Sequence, residues 1–153
     1  MNPQLRTSGS IKSAIYAAWP ICLGYFPIGL ALGVLAQQAA VPWWAMALMS
    51  ILVFAGSAQF ICVAMLAAGS SLGAIIGTTF VVNLRHVLMS SALAVYLQGV
   101  KRSFLALFAY GVTDESFAVN MARFRAGDWT RFQALIVNHL ANSVWILATV
   151  CGV

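Results

Sequence analysis

Apolar residues occupy five long blocks of this chain, at about 14–36, 44–67, 72–97, 103–121 and 132–153, with short polar or turn-rich stretches between them. Each block is close to the roughly 20 residues that an α-helix needs to cross the hydrocarbon core of a bilayer. The pattern predicts an all-α polytopic membrane protein, with about five spans forming a single transmembrane domain over residues 1–153. From Ser13 to Leu84, a run of 72 residues, there is no Asp, Glu, Lys or Arg. The surface of a soluble domain needs roughly 25–35% charged residues. That class is excluded.

Two blocks carry interruptions. In the first, Pro20, Gly24, Pro27 and Gly29 punctuate an otherwise plain apolar helix, and each proline removes a backbone hydrogen bond. These positions are expected helix breaks, which lipid tolerates only where they are buried or line a cavity. The other reading makes Gly29 and Gly33 a close-packing face. In the second block, Phe54-Ala-Gly-Ser-Ala-Gln-Phe60 places small and polar residues at the centre of an apolar segment, where they permit close approach or local unwinding. Val82-Asn83 with His86, and Val137-Asn138 with His139, form a short echo between the third and fifth blocks.

Charged residues make up 7% of the chain and hydrophobic residues 62%, with a mean hydropathy of +0.92. The net charge of +5 belongs with anionic lipid headgroups at span ends rather than with nucleic acid. Arg6 and Lys12 favour a cytoplasmic N-terminus, and five spans then bring Arg123, Arg125 and Arg131 to the same side. Lys101 and Arg102 fall on the other side, so the fourth block is the candidate for a re-entrant segment. Cys22, Cys62 and Cys151 lie in apolar runs without paired spacing and read as small hydrophobes. No metal-ligand spacing, phosphate-cradling loop or nucleophile set is present, so neither a cofactor nor an enzymatic activity is expected.

The candidate chemistry is the charge inside the apolar blocks. Asn83, Arg85 and His86 sit near the middle of the third, and Asp114 and Glu115 near the middle of the fourth. A charge at mid-membrane costs about 2.5–3.5 kcal/mol on insertion scales, so three unpaired ones would cost on the order of 8–10 kcal/mol. These groups must therefore face the bundle interior, a wet cavity or one another. Arg85 can pair with either acid as a structural pin. On a helix, neighbouring acids point about 100° apart, so one can pair while the other faces a pathway. His86 and an intramembrane carboxylate are both groups that carry protons. A small zwitterion would find a cation, a carboxylate and apolar walls here.

Gly24-Tyr-Phe-Pro-Ile-Gly-Leu-Ala-Leu-Gly33, Phe54-Ala-Gly-Ser-Ala-Gln-Phe60, Asn83-Leu-Arg-His86 and Thr113-Asp-Glu-Ser-Phe117, in that order and spacing, resemble the AzlC family. The resemblance runs from about Ile15 to the end. These are the large subunits of bacterial branched-chain amino-acid exporters. The resemblance implies a multi-pass protein of the bacterial inner membrane that exports leucine, isoleucine, valine and often methionine. It also implies protons as the coupling ion and a small AzlD-type membrane subunit as partner. Gly56, Ser57, Gln59, Asn83, Arg85, His86, Asp114 and Glu115 are the motif positions that become pathway candidates. Family members are longer, and the chain stops at Val153 within an apolar block, so it is expected to be a C-terminally truncated piece. A non-transporting assembly partner, or a channel for another small zwitterion, are the competing functions.

Overall fold

A computed structural model describes residues Ile11–Val153, so Arg6 lies outside the described residues. They form seven helices and no strand: α1 (Ile11–Gln38), α2 (Trp43–Leu52), α3 (Gly56–Ala67), α4 (Leu72–Ala94), α5 (Arg102–Tyr110), α6 (Asp114–Ala126) and α7 (Arg131–Cys151). Three of these, α1, α4 and α7, are long and apolar enough to cross a membrane. At 1.5 Å per residue, helices of 28, 23 and 21 residues reach about 30 Å or more. The others have 9 to 13 residues and cover about half that depth. The second and fourth sequence blocks are thus each split in two, giving a polytopic helical membrane protein in which long and broken helices alternate.

The first block behaves differently from expectation. Helix α1 continues without interruption through Pro20, Gly24, Pro27 and Gly29, so these are not helix breaks. A proline inside a helix costs about 3 kcal/mol, and the contact with α7, the most extensive in the fold, holds α1 along its length. Its glycines serve that contact. A Cβ on Gly29 would lie 2.7 Å from the Cβ of Ala148, and one on Gly33 would lie 2.6 Å from the Cα of Gly152. Ala14, Ala18, Leu32 and Ala36 of α1 and Val137, Ala141 and Ala148 of α7 are fully buried in or beside this seam. With no driving force from water inside a bilayer, close approach of small residues is what associates helices.

Side chains at both ends fix the direction of that pair. The Gln133 amide at the start of α7 donates to Ser13 Oγ at 2.6 Å, and the Gln37 amide at the end of α1 donates to the Val153 carbonyl at 2.7 Å. Helices α1 and α7 are therefore parallel. A fourth block that turned back alone would set them antiparallel. An odd number of crossings between them fits the parallel arrangement: three if both broken blocks cross, or one if only α4 does.

The unit of a broken helix followed by a long one occurs twice, as α2–α3–α4 and as α5–α6–α7. Each break frees backbone carbonyls that lipid cannot satisfy. The Asn138 amide donates to the Phe108 carbonyl at 3.1 Å, and a His139 ring nitrogen lies 3.2 Å from the Leu107 carbonyl, so α7 takes up the end of α5. Gly111, just past that end, sits so close to α7 that a Cβ there would come within 2.8 Å of the Asn138 Cβ. The Tyr110 hydroxyl donates to the Ile51 carbonyl near the end of α2. One break thus helps to satisfy the other.

Candidate functional site

Helix α6 starts where it does because Thr113 caps it. The Thr113 hydroxyl accepts from the Ser116 amide at 3.3 Å, and the Ser116 hydroxyl accepts from the Thr113 amide at 2.9 Å, a reciprocal capping box. Asp114 and Glu115 therefore occupy the first turn of a helix rather than the middle of one, where the helix dipole favours negative charge. Helix α3 begins at Gly56, and its N-cap, Ala55, offers no side-chain cap, which leaves its first-turn amides without side-chain partners.

The two helix starts face one cavity of about 260 Å³. Its polar lining includes Arg85 and His86 from α4 with Asp114 and Glu115 from α6. Ile28, Phe54, Phe60 and Trp145 supply apolar lining, and Tyr25, Gly56, Ser57 and Thr113 complete the wall. Six of the eight candidate positions, Gly56, Ser57, Arg85, His86, Asp114 and Glu115, line this cavity.

Arg85 bridges the two breaks. One guanidinium nitrogen lies 2.7 Å from an Asp114 carboxylate oxygen, and the other donates to Ser57 Oγ. Its Nε is buried with no protein acceptor. The side chains of Arg85 and Asp114 remain 36% and 50% exposed, so charge is open on one side of the bundle. Glu115 is held differently: it accepts from the Tyr25 hydroxyl, whose oxygen is also 2.7 Å from Thr113 Oγ1.

Gln59 and Asn83 lie away from the cavity. Gln59 is a buried strut, its amide donating to Ser50 Oγ and its carbonyl accepting from the Trp145 indole at 2.7 Å. Ser50 in turn meets Thr149 Oγ1 at 2.9 Å, so one chain of hydrogen bonds ties α2, α3 and α7 together. The Asn83 carbonyl lies 3.3 Å from His86 Nδ1, while its side-chain oxygen is buried without a partner.

Sequence reasoning passed over Tyr25, Thr113 and Trp145. Tyr25 packs edge-on against Trp145, with centroids 5.2 Å apart and planes at 71°. An aromatic in an apolar span ordinarily reads as core, and only the fold turns these two toward charge. For Thr113 the signal was available, because Thr-Asp-Glu-Ser is the pattern of a capped helix start.

The family model for AzlC protein matches residues 20–153. The chain belongs to the AzlC family. It is 33% identical over 136 residues to the inner membrane protein YgaZ of Escherichia coli (strain K12), covering 87% of the chain and 56% of that protein. It is 34% identical over 150 residues to an uncharacterized membrane protein of Archaeoglobus fulgidus, covering 97% and 64%. It is also 26% identical over 164 residues to the branched-chain amino acid transport protein AzlC of Bacillus subtilis (strain 168), covering 99% and 63%. The AzlC chain described here spans less than two thirds of the length of these curated relatives. No solved structure matches it.

Proposed function

We propose that this AzlC chain belongs to the large subunit of a secondary exporter of branched-chain amino acids, leucine, isoleucine and valine with methionine, in the bacterial inner membrane. The observation that carries the reading is the cavity at the two helix breaks, lined by both charged and apolar side chains. A substrate carboxylate would take Arg85, with its unused Nε, and the first-turn amides of α3. The ammonium group would take the carboxylates of α6. Ile28, Phe54, Phe60 and Trp145 would receive the aliphatic side chain. The Bacillus subtilis relative carries a name that matches this chemistry.

The reading includes a small AzlD-type membrane subunit and coupling to protons, with the N-terminus cytoplasmic. Arg85 and Asp114 are open on one side, and charge at that depth does not face acyl chains. A second protein or a wet pathway against that side meets the requirement. The competing reading, a non-transporting assembly partner, draws on the same Arg85–Asp114 pair as a pin between α4 and α6.

Efflux of labelled leucine from cells expressing the complete large subunit, with and without the small one, tests the proposal. Efflux that requires both proteins is the expected result. No efflux with both proteins present in the membrane would remove the substrate assignment.

A further inference from the structure

The two adjacent carboxylates of α6 keep different company. Asp114 is paired with the Arg85 guanidinium at 2.7 Å. Asp114 thus has a cationic partner. Glu115 has a neutral partner instead, the hydroxyl of Tyr25, which comes from α1 and is buried. Tyr25 is also in hydrogen-bond contact with Thr113, the residue that caps α6.

Hydroxyl groups donate one proton and accept through two lone pairs. With Glu115 ionised, the phenol donates to the carboxylate and the threonine hydroxyl donates to the phenol oxygen. With Glu115 protonated, the order reverses: the carboxyl O–H donates to the phenol oxygen, and the phenol donates to Thr113 Oγ1. In both states Thr113 keeps a lone pair for the Ser116 amide, so the helix cap survives. In the second state the Thr113 O–H no longer donates to Tyr25, and no heavy atom has to move. A bare carboxylate among apolar groups has no hydrogen-bond partner in either state.

We propose that Glu115 is a reversible proton-binding site, with Tyr25 as its positioning residue. The titratable and charged groups around Glu115 are Tyr25 from α1, Arg85 and His86 from α4, and Asp114 beside it on α6. The cavity wall from α7 is Trp145, which does not titrate, and α3 adds Ser57. Glu115 and His86 line the same cavity. That this proton drives export rests on the transport reading. The existence of the site does not.

Glu115 is the only glutamate among residues 1–153, beside Asp114 and Asp128, and Glu115→Gln picks out its band from those of any further glutamates in the complete subunit. Infrared difference spectra of the protein in lipid, taken on stepping the pH down, are compared between unlabelled protein and protein labelled with ¹³C at the glutamate carboxyl. The expected result is a protonated-carboxyl band that moves with the label, disappears in Glu115→Gln and shifts in Tyr25→Phe. A band that ignores the label, or no carboxyl band at any pH, overturns the proposal. Leucine efflux under an imposed pH gradient then separates the two readings. Wild-type efflux that fails altogether counts against the transport reading and leaves the spectra unaffected. Efflux that keeps its pH response in Glu115→Gln refutes the coupling role of the site.

Discussion

Gly56 sits directly against the indole of Trp145: a Cβ on that glycine would lie 2.9 Å from the ring carbon Cη2. The ring has little room to retreat, being 3% exposed and tied by its N–H to Gln59. Gly56→Ala should therefore displace the indole and change the shape of the cavity that it lines. Leucine efflux is expected to fall several-fold relative to valine efflux in the same cells, and Gly56→Ala with Trp145→Phe should recover much of the ratio. An equal fall for both substrates would mean that Trp145 does not set selectivity.

Gln59 is predicted to matter for the fold rather than for the substrate. Gln59→Leu leaves the Trp145 N–H and the Ser50 hydroxyl without their present partner. An unsatisfied buried group costs about 1–3 kcal/mol, although hydrogen bonds between membrane helices average only about 0.6 kcal/mol. The expected loss is on the order of 1–3 kcal/mol, read as a lower unfolding midpoint in detergent. Gln59→Glu keeps an acceptor for the indole and should lose less.

The seam between α1 and α7 tolerates no side chain at its tightest point. Gly33 and Gly152 pack backbone to backbone, with a Cβ on Gly152 only 2.9 Å from the Gly33 Cα. Gly33→Val should prevent accumulation of folded protein, whereas Gly24→Val, with nothing within 4 Å of its Cβ, should accumulate normally. Monodisperse yield after extraction distinguishes them.

Particular residues explain what was legible in the sequence. Arg85 and Asp114 stood out because charge in an apolar block needs a partner, and the two do pair. The break before Gly56 was legible as a cluster of small residues. The break at Gly111–Thr113 was legible only on its α6 side, in the capped start at Thr113; the grip of Asn138 and His139 on the α5 carbonyls comes from a distant helix and was hidden. Pro20 and Pro27 misled for the opposite reason: their cost is local, whereas the support that α7 gives to α1 is spread along the whole seam. Tyr25 and Trp145 became cavity residues only through the approach of α1 and α7 to the two breaks.

Arg85→Ala separates pathway from pin. Charge-assisted hydrogen bonds are worth about 1.5–3 kcal/mol, so a substrate-binding arginine predicts a fall in leucine efflux of roughly 10- to 100-fold with the membrane complex intact. Arg85→Lys keeps the charge but cannot reach Ser57 and Asp114 with one planar fork, and should be intermediate. Loss of the complex itself, in place of lost efflux, would support the assembly role.

Substrate protection at Ser57 tests the central claim most directly. Ser57 is exposed at the cavity edge and bonded to Arg85. After replacement of Cys22, Cys62 and Cys151 in the complete transporter, Ser57→Cys gives a thiol at the site. Labelling by a small polar thiol reagent is then followed with and without leucine. Leucine should slow the labelling, and a bulky non-substrate amino acid should not. Unchanged labelling in a variant that still exports leucine would show that the substrate does not pass through this cavity.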